Sequence, residues 1–211
     1  MTDFTMLASE QRQELADTAA VLQELGVANE TFAKSSQVAT KMLGVSTGEM
    51  KSVSLELTAY AKDLQVSPEA LTAEFAAAGG QIAKFGKQGV KAFKDLQYIS
   101  KITGLEMNKI LAITNKFDTF EGAADQAGKL NAALGGNFVN AMDLMMATDP
   151  ADRFNMIRDS ILDAGLSFDD MSYYQKNFYK ETLGLSDVGD LALMLSGNME
   201  SLTGNLNKTT R

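Results

Sequence analysis

Residues 109–146 read KILAITNKFDTFEGAADQAGKLNAALGGNFVNAMDLMM, and the fold is decided by how this stretch is read. Phe117-Asp118-Thr119-Phe120 interrupts one helical pattern and opens another. Asp118 or Thr119 can accept hydrogen bonds from the free N–H groups of the turn that follows. Glu121 and Asp125 put negative charge near the positive end of that helix. Ala123, Ala124, Ala127, Leu130, Ala133 and Leu134 recur at spacings of three and four, which makes a narrow, small-residue face. Gly135-Gly136 stops the helix, because glycine enters the left-handed cap conformation without a Cβ clash. Met142, Met145 and Met146 follow as a soft apolar surface. The stretch carries start, stop and packing signals and no chemistry, so it predicts close helix packing.

The same signals recur in both directions from this stretch. Only two prolines occur, and both sit where a helix begins: Ser67-Pro68-Glu69 and Asp149-Pro150 each read as a cap followed by a first helical residue. Ser46-Thr-Gly-Glu49 has the spacing of a capping box, in which the serine caps the Glu49 amide and Glu49 reaches back. Gly44-Val-Ser46, Gly104-Leu105, Gly165-Leu-Ser167 and Gly184-Leu-Ser186 share one logic. Glycine closes a helix, an apolar residue tucks in, and a polar or acidic residue opens the next; Leu64-Gln-Val-Ser67 is a variant without the glycine. These signals predict helices over about 3–25, 29–43, 46–64, 67–78, 105–117 and 119–134, then from Pro150 to Gly165, from Ser167 to Gly184 and from Ser186 to about Gly197. Met171, Tyr174, Phe178 and Leu183 are expected inward. No sustained alternation or Asn-Gly turn suggests a strand. The expected fold is therefore all-α: a multi-helix bundle of short helices separated by Gly/Ser turns, and a section of a longer, elongated chain.

The expected organisation is an N-terminal helical segment over 1–80, a Gly/Lys-containing amphipathic connector over 81–104, a helical domain over 105–200 and a polar tail over 201–211. In the connector, Phe85, Gly89, Ala92, Phe93 and Leu96 share one face, and Lys84, Lys87, Lys91 and Lys94 share the other, which reads as a solvated face. Gly86 and Gly89 each cost about 1 kcal/mol relative to alanine if helical, so they mark a bend or a close backbone contact.

Composition narrows the function classes. The chain of 211 residues carries 27 acidic and 19 basic side chains, a formal net charge of −8. That balance argues against a specific nucleic-acid partner, which normally calls for a basic surface. Cysteine and histidine are both absent. Thiolate metal sites, thiol nucleophiles and the commonest general base go with them. Asp169-Asp170, Asp149/Asp152 and Glu121/Asp125 are the densest carboxylate pairs, but each lies at an expected helix start, where capping and the helix dipole explain it. The glycines fit neither a Walker loop nor a dinucleotide fingerprint. No catalytic residue, cofactor site or metal site is expected. The candidate functional residues are interaction residues: Phe117, Phe120, Leu130, Leu134, Met142, Met145, Met146, Tyr173, Tyr174 and Phe178.

Four phrases carry a resemblance. They are Ile99-Ser-Lys-Ile-Thr-Gly-Leu105, Ala112-Ile-Thr-Asn-Lys-Phe-Asp-Thr-Phe-Glu-Gly-Ala-Ala124, Ala127-Gly-Lys-Leu-Asn-Ala-Ala-Leu-Gly-Gly136 and Asp163-Ala-Gly-Leu-Ser-Phe-Asp-Asp-Met-Ser-Tyr-Tyr-Gln175. Together they resemble a section of the tail tape-measure proteins of bacteriophages with large contractile tails, over most of residues 45–197. The resemblance implies a virion structural and assembly protein, made in the host cytoplasm and located in the virion tail. Such chains lie in the tail tube, set its length and take part in genome delivery. The implied partners are further copies of itself, with a trimer favoured, tail tube and baseplate hub proteins, and a transient membrane contact at infection. Some members carry peptidoglycan-cleaving domains, but no motif here supports carrying such a site over. The glycine stops depart from a continuous ruler helix, so a short-helix section of a longer protein is expected. The competing class is a cytoplasmic helical adaptor that binds a partner through its Met and aromatic faces.

Overall fold

The computed structural model describes residues 8–196. The expectations for residues 3–7, for Gly197 and for the polar tail fall outside the described residues. Among the described residues every regular element is helical and no strand is present, so the protein is all-α. The chain divides into two compact units, the first ending at Lys94 and the second beginning at Asp95. That boundary falls inside the expected connector 81–104, within a helix that runs Gly89–Thr103.

The first unit contains α1 (Ser9–Glu24), α2 (Asn29–Gln37), α3 (Met50–Asp63), α4 (Pro68–Ala77), the short α5 (Gly79–Ile82) and the start of α6 (Gly89–Thr103). α2 runs into a π-helical turn, Val38–Met42, before Gly44 ends it. α2 and α3 both pack on α4, and α1 packs on α2 and α3. Leu22, Ala39, Leu57, Ala61, Leu71, Phe75 and Ile82 are buried there. The Ser67 cap forms as the sequence predicts, with the Ala70 amide donating to Ser67 Oγ at 3.0 Å. The Ser46 box forms by half. Glu49 accepts from both the Ser46 amide and the Ser46 hydroxyl, each at 2.8 Å, whereas the Glu49 amide donates to the Ser46 carbonyl rather than to its side chain.

Helix α2 is capped from elsewhere. Its N-cap, Ala28, has no side chain able to accept. Glu69, in the first turn of α4, accepts instead from the Ala28 amide at 2.8 Å and from the Thr31 hydroxyl. A carboxylate in the first turn of one helix thus satisfies a free N–H of another.

The connector segment departs from one continuous amphipathic helix. Gly86 takes φ 54°, ψ −130° and kinks the 3₁₀ stretch Ala83–Gln88 that precedes α6. At Gly89 an added Cβ would stand 2.5 Å from a Leu43 methyl. One glycine makes the bend and the other the close contact. The lysine stripe ends within α6. Lys84, Lys87 and Lys91 are exposed, but Lys94 is buried, paired with Glu56 and 5.2 Å over the Tyr60 ring. Lys94 therefore does not belong to a solvated face.

The glycines of the punctuation, Gly44, Gly104, Gly165 and Gly184, all take positive φ. At Gly184 the amide donates to the Glu181 carbonyl while the Leu185 amide donates to that of Lys180, the paired bonds of a Schellman cap. Gly184 sits at φ 73° and Leu185 is buried. The variant without glycine makes the same pair: Gln65 donates to Lys62 and Val66 to Ala61. Gln65 is accordingly the one non-glycine residue at positive φ, 57°, among those described. A side chain in that region costs about 1–2 kcal/mol. Gln65→Gly relieves this while loosening the unfolded chain. We expect it to leave stability unchanged or raise it by up to about 1 kcal/mol in urea unfolding, the opposite of what glycine does elsewhere in a helix.

The second unit contains α7 (Met107–Asn115), α8 (Phe120–Leu134), α9 (Ala141–Met146), α10 (Pro150–Asp163), α11 (Tyr173–Leu183) and α12 (Val188–Leu195). α8 packs on α9 and α11, and α10 packs on α7, α9 and α12. The central stretch behaves as its sequence predicts. Thr119 Oγ1 accepts from the Gly122 amide at 3.0 Å, and Gly135 ends α8 in the left-handed conformation. Its buried face is narrower than expected: Ala123, Ala127 and Leu130 are buried, Leu134 is half-buried and Ala124 is exposed.

One helix start is corrected. Residues 167–170 form a turn, and α11 begins only at Tyr173. Ser167 spends its hydroxyl on Asp170. Ser172 and Gln175 form the capping box instead: the Gln175 amide donates to Ser172 Oγ, and the Ser172 amide donates to Gln175 Oε1. With the later start Met171 lies outside the helix, and its burial does not carry over to Tyr174 and Phe178. Tyr179, Thr182 and Leu183 point inward with Met171, while Tyr174 and Phe178, expected inward, face out.

Candidate interaction surface

Two arginines in an apolar stripe organise the second unit. Along α10, Arg153, Ile157 and Ile161 follow at spacings of four, beside Phe154 and Arg158, and all five are buried. The Arg153 guanidinium points where several helix ends converge. Its Nε donates to the carbonyls of Leu144 (2.9 Å) and Ala147 (3.0 Å), and its Nη1 donates to the carbonyl of Thr114 (2.9 Å) and to the Asp118 carboxylate (2.6 Å). The carbonyls of Leu144 and Ala147 at the end of α9 converge on this one planar donor with that of Thr114 at the end of α7, which also accepts from the Phe117 amide at 3.2 Å. Arg158 closes α12 in the same way, with Nε donating to the Met194 carbonyl at 3.0 Å and Nη2 to that of Ser196 at 3.2 Å. Burial pushes the pKa of Arg158 down.

The loop from α8 to α9 is held by one side chain. Asn131 Oδ1 accepts from the Phe138 and Val139 amides at 2.9 and 2.7 Å, and its Nδ2 donates to the Val139 carbonyl at 2.8 Å. Asn140 then caps α9, its Oδ1 accepting from the Met142 and Asp143 amides. Lys109 of α7 donates to both oxygens of Asp190 in α12 at 3.0 Å. That hydrogen bond raises the pKa of Lys109 above its usual value. A raised lysine pKa contributes stability below the unfolded value, about 10.4, and the contribution is lost as pH rises through the folded value. We expect wild type to lose more stability than Lys109→Met between neutral pH and strongly alkaline pH. Urea midpoints measured across that range check it.

On this frame the ten expected interaction residues separate. Phe117 and Leu130 are fully buried. They are core residues, because the small-residue face of α8 and the end of α7 pack inward, and this corrects their assignment to a contact surface. Leu134 and Met145 are half-buried. Phe120 is 66% exposed, Met142 50%, Met146 72%, Tyr173 75%, Tyr174 81% and Phe178 40%. Tyr173 and Tyr174 meet edge to face with ring centres 5.5 Å apart. Phe178 meets the buried Tyr179 at 5.8 Å in the same geometry. Phe138, 40% exposed in the loop held by Asn131, belongs with this group and was not singled out from the sequence. Its only signal was an aromatic residue directly after a glycine stop.

Of the carboxylate pairs, Asp149/Asp152 stands at a helix start as expected, whereas Asp169 and Asp170 lie in a turn and not at a helix start. Asp149 Oδ1 accepts from the Ala151 and Asp152 amides, and Asp125 pairs with Lys129 along α8. Among the described residues no three or more Asp or Glu side chains are grouped to hold a metal. An open hollow on the first unit is lined by Glu10, Gln13, Glu14, Asp17, Thr18 and Lys51, with Gln13 donating to Asp17. It brings no nucleophile beside a base. No helix of the described residues is long and apolar enough to cross a membrane. What the arrangement offers is aromatic and thioether surface on helices whose starts are capped by side chains. Compared with family models, with curated proteins and with solved structures, the chain matches none.

Proposed function

We propose that this chain is a structural and assembly section of a bacteriophage tail tape-measure protein, working through helix surfaces rather than through catalysis. In this reading it lies in the tail tube, meets copies of itself (as a trimer), the tube and the baseplate hub, and takes part in setting tail length and in genome delivery. The observation that carries the reading is the outward set of Phe120, Met142, Met146, Tyr173, Tyr174 and Phe178 on firmly held helices, the residue types enriched where proteins meet. The phrases at residues 99–105, 112–124, 127–136 and 163–175 supply the tail resemblance. Helix length is consistent with a folded section rather than the ruler rod: no described helix exceeds the 16 residues of α1, about 24 Å of rise. The transient membrane contact has less to recommend it, because Phe93 and Lys94 of the basic segment are buried.

Mass spectrometry of purified virions tests the proposal. Peptides from residues 117–134, recovered from tails within a longer polypeptide, are the expected result. Their absence from particles, with a free protein of this size in the lysate, would overturn it in favour of a cytoplasmic helical adaptor.

A further inference from the structure

The methionines of the described residues fall into two groups by what their sulfur does. Met50, Met171 and Met194 are buried and fill the cores of their units. Met142 and Met146 are exposed, and at a spacing of four they share one side of α9. Neither of these two side chains holds the helix in place. Leu144 is the buried residue of α9. Asn140 caps the start of the helix, and Arg153 donates to the carbonyls of Leu144, Met145 and Ala147 at its end. Met42 in the first unit is exposed to nearly the same degree as Met142, but its sulfur is packed: a Cβ placed on Gly79 would stand 3.0 Å from it. Exposed thioether and dispensable packing therefore coincide at Met142 and Met146.

We propose that Met142 and Met146 form a reversible oxidation site for peroxide, and that oxidation turns this contact face from apolar to polar while the second unit stays folded. In the step, a sulfur lone pair attacks one oxygen of hydrogen peroxide. The S–O bond forms as the O–O bond breaks, and the proton of the transferred oxygen goes to the departing hydroxide, which leaves as water. Sulfur loses two electrons and the peroxide gains them. The product sulfoxide is polar and chiral, and methionine sulfoxide reductases return each epimer to the thioether. In a core such a change disrupts packing. On α9 it falls on side chains that the cap, the Arg153 bonds and Leu144 do not need, so the surface changes and the fold does not. The consequence for binding rests on reading these residues as a contact surface, whereas the oxidation chemistry belongs to the free chain wherever it resides. Peptide mapping tests the site, and the virion measurement tests residence.

The experiment treats the full chain with hydrogen peroxide and follows each methionine by peptide mapping, with far-UV circular dichroism and retention on a phenyl column read at each time. Met142 and Met146 are expected to gain one oxygen each about tenfold faster or more than Met50, Met171 and Met194, because susceptibility follows exposure. Met42 should lag behind Met142. Retention on the phenyl column should shorten as the pair oxidises, with helix content unchanged, and reductases for the two epimers should restore it. Met142→Leu with Met146→Leu keeps an apolar face without sulfur. This variant should be retained like wild type and should lose less retention under peroxide. Oxidation of Met50, Met171 or Met194 at the rate of the pair overturns the proposal. Loss of helix content as the pair oxidises overturns it too, since the change would then be damage to the fold. So does an equal shortening of retention in wild type and the double leucine variant, which would place the effect on other residues.

Discussion

Arg153→Met is expected to lower the stability of the second unit by about 3–5 kcal/mol, the loss typical of breaking a buried charge network from one side. The sign follows from what stays behind. Methionine fills much of the volume and spares the desolvation of a guanidinium, and a buried ion pair replaced in full by apolar side chains is often no less stable. Here the acceptors cannot be replaced. The carbonyls of Leu144 and Ala147 belong to a helix end that remains in place, and each buried acceptor left without a donor costs about 1–3 kcal/mol, less than additively; the Thr114 carbonyl keeps the Phe117 amide at 3.2 Å. Asp118 adds less, being 42% exposed and able to turn to water. Arg153→Lys should fall between, because an ammonium keeps the charge but cannot span acceptors arranged for a planar fork. Urea unfolding gives the magnitude. Amide exchange gives the location, with the earliest loss of protection in α9 and around Thr114. A neutral Arg153→Met would show that these carbonyls are satisfied by water and would remove Arg153 as the organiser of the unit.

Phe75→Ala is the corresponding lesion in the first unit, with an expected cost of about 3–5 kcal/mol. Phe75 and Phe93 are both fully buried and meet edge to face, with ring centres 5.2 Å apart and planes at 76°. Truncation removes the transfer free energy of the ring, leaves a cavity, and gives up an aromatic pair worth about 0.5–1.5 kcal/mol beyond its area. Phe75→Leu keeps most of the volume and should recover more than half of the loss. The informative control is Phe120→Ala. That ring is 66% exposed, so its removal should change stability by no more than about 0.5 kcal/mol. Comparable losses at Phe75 and Phe120 would contradict the assignment of one to the core and the other to a contact surface.

Helix ends were more legible in the sequence than helix faces, for a physical reason. A stop is a local event, so Gly135 and Gly184 announce it by residue type alone, and the Gln65 turn was found because its neighbours follow the same rule. A start is ambiguous when two candidate caps stand close together. Ser167 and Ser172 both qualify, and only the Asp170 carboxylate, which takes the Ser167 hydroxyl, decides between them. A start at Ser167 would put Met171 in one helix with Tyr174 and Phe178 at spacings of three and four, but with the start at Ser172 Met171 lies outside the helix and its burial no longer fixes their side. The interaction surface was half legible. Exposed Met142, Met146 and Tyr173 were found by composition, whereas Phe117 and Leu130 look equally apolar in sequence and differ only in what packs on them. Arg153 carried a readable signal that was passed over: an arginine in register with Ile157 and Ile161, where an exposed charge would break the stripe.

The borrowed cap of α2 bears on the order in which the chain is made. Ala28 gives that helix no side-chain cap of its own, and Glu69 follows the residues it serves by 41 and 38 positions. A ribosome adding about 5–20 residues per second takes several seconds to cover that distance. During that time α2 is a nine-residue helix, shorter than the ~12–15 residues an isolated helix needs to persist in water. It waits, frayed at its first turn, until α4 has left the exit tunnel. Translation pauses before α4 has emerged would prolong exposure of Phe32 and Val38 to chaperones, and pauses after it has emerged would not.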